Sequence, residues 1–458
     1  SICNKSLRKL ILVFHLSYSM IIGDFIILKK EIESEMKMKK TWFGGLIGKL
    51  IAVLLIMNML VSLQAYAAVK PVKRSGTVQS TAVEQKELRG VWFSYIDWSE
   101  MPSDVESFKK RADQVMTDIK NRGMNAIFCH VHSHSDSYGQ KLKSFPLSKF
   151  MVTKDSNPNF DPLEYMIESA HKHGLSFHAW VNPYRVTNSM MRDIPEGSIV
   201  KQWMNDPSKQ RNVLLHEGNY YLNPSSAEVR NYLVNSISEI CKNYAVDGVQ
   251  FDDYFYPSLN DSDLAKSFDK AEYDASGSSL GITQWRRENV SMLVKDVYKA
   301  VHATRPQAVF GISPVALLSN LRSDKSYFVD IDKWMASNEY IDYIMPQLYH
   351  GFEAKTKTGA LAPHSYINCL NSWVDLKKKS NSNVKLYIGL GLYRTGKNIK
   401  DGNTVSEWLR YNDILLRQVK AARETGEVSG FGIFAYQNFR EAPAALELDN
   451  LQTAFTNQ

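Results

Sequence analysis

Cysteine is scarce in this chain, with four in 458 residues. The reading of the N-terminus given below leaves only Cys129, Cys241 and Cys369 in the mature protein. An odd number, each within an apolar or helical pattern, argues against a disulfide framework and predicts buried free thiols. Stability must then come from a large core. Surplus charge is scarce too. The net charge is +7, but residues 1–67 hold nine Lys/Arg against four Asp/Glu. The rest of the chain is therefore near +2 and lacks the concentrated basic face that nucleic acid requires. No internal repeat, low-complexity tract or second domain is visible. What remains is ordinary globular composition, 44% hydrophobic and 22% charged. A length above roughly 250 residues suits a large single barrel or two domains.

The N-terminus reads as a targeting segment. Met36-Lys37-Met38-Lys39-Lys40 is a basic region, and Leu46 to Leu63 is apolar except for Gly48, Lys49, Asn58 and Ser62. Ala65-Tyr66-Ala67 is a small-residue cleavage site. Residues 36–67 are thus expected to be a secretory signal peptide, with an uncleaved membrane anchor as the alternative. Residues 1–35 are expected to be an upstream extension from a misplaced start, and 68–86 a polar linker. The expected location is secreted or associated with the cell envelope, with membrane contact only through this segment.

From Leu88 onward the chain alternates between strand-like and helix-like patterns. Strands are predicted at 88–95, 125–131, 175–182, 248–252, 308–313, 341–347, 385–391 and 430–435. Helices are predicted at 105–122, 162–173, 226–244, 283–304, 331–337, 364–379 and 405–425. Asp161-Pro162-Leu163-Glu164 and Ser225-Ser226-Ala227-Glu228 carry capping-box signals at two helix starts. This alternation predicts a (β/α)8 TIM-like barrel over 87–440, with 441–458 as a C-terminal tail packed against it. The links are lopsided. Helix-to-strand links are minimal, as at Gly123, Gly174 and Pro306, whereas strand-to-helix links are long. In a barrel the long loops share one rim, and chemistry sits there.

The most informative segment is Val246 to Pro257, where an apolar run ends in Asp252-Asp253 and then Tyr254-Phe255-Tyr256. Pleating sends successive side chains to opposite sides, so the two acids are expected to point apart. Carboxylates beside aromatic rings at a strand tip suit chemistry at an acetal carbon. Other strand ends supply Trp92, His130, His132, Tyr138, His178, Trp180, Asn182, Tyr184, Arg185, Tyr256, Gln347, Tyr349 and Tyr436, with Asp136 and Glu353 close by. Rings bind the apolar faces of sugars, while amides and acids bind hydroxyls. His130-x-His132-x-His134 has period two, so on a regular strand the three rings would share a face, as metal ligands do. The late strands lack the further His, Lys or Asp that metal-dependent barrel hydrolases combine with such a pair. No metal and no cofactor is therefore expected.

Several stretches resemble the glycosyl hydrolase-like 10 family. They are Leu88-Arg89-Gly90-Val91-Trp92, Asp161-Pro162-Leu163, His178-Ala179-Trp180-Val181-Asn182-Pro183-Tyr184-Arg185 and Asp247 to Pro257. Trp285 to Val290, Phe310-Gly311-Ile312-Ser313-Pro314 and Ile341 to Tyr349 continue the match, which spans roughly 87–439. The resemblance implies an exported (β/α)8 glycosidase-like enzyme, and some relatives cleave peptidoglycan strands stripped of their peptides. One position departs: His132 stands where the family usually carries Arg, so a permanent cation is replaced by a titratable ring.

Asp247-Gly248-x-x-x-Asp252 is also similar to the fourth-strand segment of retaining barrel glycosidases, which implies Asp252 as nucleophile or oxocarbenium stabiliser. Asp253 would be a supporting or structural acid. Glu353 is the first choice for the general acid and Asp136 the second. The expected function is hydrolysis of a cell-envelope or extracellular polysaccharide by two-carboxylate chemistry, peptidoglycan strands included, by a monomer. A non-catalytic glycan-binding barrel and a metal-dependent hydrolase are the alternatives.

Overall fold

The computed structural model describes residues 87–151, 160–189, 193–253, 255–259, 268–399 and 406–456. The upstream extension, signal peptide and linker expected over 1–86 lie outside them, as does Tyr254. Among the described residues no helix is long and apolar enough to cross a membrane.

Eight parallel strands close into a barrel. They are β1 (Leu88–Phe93), β2 (Ala126–His132), β3 (Ser176–Val181), β6 (Gly248–Phe251), β7 (Val309–Ile312), β8 (Tyr343–Ile344), β9 (Lys385–Gly391) and β10 (Val428–Phe434). Each follows its predecessor around the ring, and β1 pairs with both β2 and β10 to close it. All eight predicted strands are present. The sixth is shorter than predicted because Pro346 has no N–H to donate to a ladder, and beyond it only isolated bridges at Gln347 persist. Helices lie between the strands. Gly123 and Gly174 sit at φ +76° and +68°, the left-handed conformation that ends each helix just past its C-cap, a few residues before β2 or β3 begins.

Local signals account for the helix starts. Asp161 accepts from the amides of Leu163 and Glu164 at 3.1 and 3.3 Å, and Ser226 from that of Val229 at 3.3 Å. The reciprocal half of each expected capping box is not made. Glu164 pairs instead with Lys141, and Glu228 with Lys209 and Asn212. The predicted helix over 405–425 is two helices, Glu407–Arg410 and Ile414–Glu424, separated where Tyr411 turns extended. The tail forms the helix Ala442–Thr456, which buries Leu448, Leu451 and Phe455. The long third strand-to-helix loop holds a helix, Ile199–Asn205, and a hairpin of β4 (Val213–His216) and β5 (Asn219–Leu222).

The core has two parts. A large apolar layer fills the space between strands and helices, and it includes Cys129, Cys241 and Cys369, all buried and unpaired. A second cluster of Trp92, Phe128, Trp180, Tyr343 and Met345 fills the barrel interior. Side-chain alternation assigns each strand position to one part or the other, and so decides which groups rise to the rim.

Candidate active site

The period of two on β6 carries the argument. Gln250 points inward, accepting from the Trp92 indole N–H at 2.7 Å and directing its amide at Tyr343 Oη at 3.3 Å. Asp252, two residues on, emerges above it on the same face. Its Oδ2 accepts from the Trp180 indole N–H at 3.1 Å, and the side chain is buried. Asp253 faces the other neighbour. Its Oδ1 accepts from the Gln347 amide at 3.3 Å, and that amide also donates to the Ser313 carbonyl at 2.9 Å. The two acids thus lean apart, toward β3 and β8. Burial raises the Asp253 carboxyl above its usual range, opposed by the Gln347 bond and the positive charge of Arg185.

A continuous aromatic surface adjoins this pair. Trp180 meets Phe434 edge-on at 6.4 Å, and Phe434 stacks with Tyr349 at 5.5 Å. Tyr349 in turn meets Tyr393 edge-on at 5.7 Å. On its other side Trp180 stacks face to face with His130, 3.3 Å between ring centres. The Tyr95 N–H points at His130 Nδ1 at 3.0 Å, which makes Nδ1 the acceptor and leaves the proton on Nε2, facing Asn182 Oδ1 at 3.5 Å. Burial foremost, then the charge of Arg185, holds His130 well below the ordinary imidazole range, so this ring is neutral.

The shared face expected of the three histidines is not formed. The register between β2 and β3 slips between His130 and His132, so His130 lies opposite Trp180 while His132 lies opposite Val181. A bulge of this kind breaks the period of two. His132 therefore turns into the outer layer, stacked on Phe145 at 3.9 Å, with Nδ1 against the Asp136 carbonyl at 2.8 Å. Burial lowers its pKa to about 4, and that of His134 to about 2. Among the described residues no group of three or more His, Cys, Asp or Glu is arranged to hold a metal ion.

The remaining expected site residues divide by depth. Trp92 and His178 lie within the barrel, with His178 packed 4.8 Å from Phe128 and its pKa lowered to about 4 by burial. Asn182 ties two loops by donating to the Ser133 carbonyl at 3.2 Å. Arg185 is buried and Tyr184 is packed edge-on to Phe255. Three tyrosines are committed elsewhere: Tyr138 stacks under Trp98 at 4.8 Å, Tyr256 donates to Asp269 at 2.8 Å, and Tyr436 donates to Asp118 at 2.8 Å.

The two acids expected to serve as proton donor are also engaged. Asp136 closes its own loop by accepting from the Ser133 and His134 amides at 3.3 and 2.9 Å. Glu353 forms a solvent-reached ion pair with Arg410. Gln250 and Phe434 were missed by the sequence reading, although counting back by twos from Asp252 reaches Gln250. Phe434 gave no such signal, because its partners come from other strands.

Comparison with known proteins agrees with the fold. The sequence profile described as glycosyl hydrolase-like 10 matches residues 87–407. The chain is 30% identical over 403 residues to glycosyl hydrolase YngK of Bacillus subtilis, covering 82% of this chain and 72% of that one. It is 28% identical over 420 residues to glycosyl hydrolase DigH of Escherichia coli K12, covering 84% and 91%. In fold it is similar to the PgaB (BpsB) glycoside hydrolase domain from Bordetella bronchiseptica, with TM-score 0.53, 14% identity and coverage of 80% and 99%. The catalytic domain of β-amylase from Paenibacillus polymyxa gives TM-score 0.52, 10% identity and coverage of 81% and 99%. With a family profile spanning most of its length, this chain belongs to the glycosyl hydrolase-like 10 family and is a glycoside hydrolase.

Proposed function

We propose that the protein cleaves O-glycosyl bonds in a cell-envelope or extracellular polysaccharide, peptidoglycan glycan strands foremost, outside the cytoplasm. The observation that carries this reading is the acid pair at the tip of β6, with Asp252 bonded to Trp180 and Asp253 to Gln347. Asp252 is the carboxylate that attacks or stabilises an oxocarbenium-like carbon, held in place by the Trp180 N–H. Asp253 is the proton donor to the leaving oxygen, because burial keeps its carboxyl protonated to higher pH. This assignment replaces Glu353 and Asp136 in the acid role. A general acid needs burial, which the Arg410-paired Glu353 lacks, whereas Asp136 is buried with Oδ2 unpartnered but spends Oδ1 on the Ser133 and His134 amides that close its own loop. The rings of Trp180, Phe434 and Tyr349 offer stacking area to pyranose faces.

The test is incubation with purified peptidoglycan, with and without its stem peptides, scoring new reducing ends and identifying products by mass. Asp252→Asn is expected to lose most turnover while still binding glycan. Asp253→Asn is expected to lose about 10²–10⁴-fold on natural glycan, yet to recover on aryl glycosides whose leaving group needs no proton. Binding of glycan with no reducing ends from any source would instead make this a glycan-binding barrel.

A further inference from the structure

A second part of the same rim carries a cation that forms no ion pair among the described residues. Arg394 ends the short turn Leu392–Arg394, which directly follows β9. Its guanidinium carbon lies 5.5 Å from the centre of the Tyr393 ring, and its Nε donates to Tyr393 Oη at 3.2 Å. Arg410, Arg417, Arg423 and Arg440 each form an ion pair with a carboxylate. Arg394, half-buried, forms none among the described residues.

The described groups placed beside it are a phenol ring and an imidazole, not carboxylates. Burial foremost, then the Arg394 charge, lowers the pKa of His350 to about 4. The His350 ring stands 5.0 Å from that of His364, and its Nδ1 is buried without a partner. Beyond the Nε bond to Tyr393, this half-buried guanidinium keeps planar N–H donors suited to a carboxylate.

The position connects this group to the acid pair. Gly391 lets the chain pass beneath the neighbouring rings, since a Cβ there would lie 2.9 Å from Tyr349 Cβ. Tyr393 meets Tyr349, Tyr349 stacks on Phe434, and Phe434 meets Trp180, which donates to Asp252. A sugar chain lying along these rings with one residue at Asp252 would carry a later residue of the same chain toward Arg394.

We propose that Arg394, with His350 and Tyr393, forms a subsite for a carboxylate-bearing sugar, so that the substrate is an acidic polysaccharide. This deepens the reading given above and rests on its assignment of the rim to glycan. The carboxylate has two possible sources, a uronic acid ring or an acid ether-linked to an amino sugar.

The experiment measures calorimetric binding to the full chain carrying Asp252→Asn, which removes turnover from the readout. The ligands are peptide-free peptidoglycan strands, the same strands with carboxylates amidated by methylamine, an oligogalacturonide and a chitin oligosaccharide. Adding Arg394→Gln is expected to weaken at least one carboxylate-bearing ligand about tenfold or more. The amidated and neutral ligands should stay within about twofold, and Arg394→Lys should retain part of the preference. A loss confined to the strands identifies the ether-linked acid, and one confined to the galacturonide identifies the uronic acid. Equal affinity of the Arg394-containing parent for native and amidated strands, with no preference for the galacturonide, overturns the proposal. So does an equal loss on every ligand. Because binding is read rather than hydrolysis, an absence of cleavage by the wild-type chain would sink the hydrolase mechanism and leave this subsite standing.

Discussion

The Trp180 indole N–H donates to Asp252 Oδ2 at 3.1 Å while its ring face lies against His130, 3.3 Å between centres. One side chain of β3 thus supplies both a donor to an acid and a wall of the rim. Trp180→Phe keeps a ring and removes the donor. Hydrogen bonds to charged groups contribute about 1.5–3 kcal/mol, so kcat/KM should fall roughly 10–100-fold with little change in Tm. An unchanged kcat/KM would detach this bond from the chemistry.

The Gln347 amide and the charge of Arg185 both oppose the upward shift that burial imposes on Asp253. Removing the amide with Gln347→Leu should therefore raise this carboxyl further. As Asp253 must be protonated to donate, the alkaline limb of the kcat/KM profile should move to higher pH. A limb that moves down or stays fixed argues against Asp253 as the donor.

The same shift has a sign for stability. A carboxyl raised above its unfolded value stabilises the fold fully below that value, near 3.9, and this contribution is lost as pH rises through the folded pKa. Asp253→Asn, which cannot ionise, should be more stable than wild type at pH 7, with the advantage gone near pH 3. Urea denaturation at the two pH values checks this.

The buried histidines act in the opposite direction. His132, His178 and His350 are held at about 4 and His134 at about 2, each chiefly by burial. A lowered imidazole contributes stability that is full above about 6.5 and is lost as pH falls toward the folded value. Thermal stability should therefore drop steeply between pH 6.5 and 4. For His178→Leu, the stability difference between pH 7.5 and 5 should shrink by about 2 kcal/mol. A variant as acid-sensitive as wild type would contradict the burial account.

Tyr256 donates to Asp269, which is fully enclosed and paired with Arg286. Tyr256→Phe leaves one acceptor of a buried ion pair short of a partner, so it should cost about 1.5–3 kcal/mol of stability. KM for glycan should not change. A raised KM without lost stability would return Tyr256 to the binding surface.

The sequence by itself determined the barrel and the identity of the acid tip. Eight apolar runs, capped helices such as the one started by Asp161, and glycines at helix ends are local properties, and local physics suffices to read them. Family-length motifs around Asp247 to Pro257 pointed to the enzyme class. What neighbouring residues do not encode is which distant side chain completes each group. His130, His132 and His134 read as one face until a register slip against β3 turned His132 outward. Tyr138, Tyr256 and Tyr436 read as cleft aromatics until Trp98, Asp269 and Asp118 claimed them. Only closure of the barrel set Trp180 and Gln347 on either side of two adjacent acids and drew Phe434 into the floor between strands. Those contacts span tens to hundreds of residues of chain, and they are fixed by packing, a property of the whole fold that no sequence window contains.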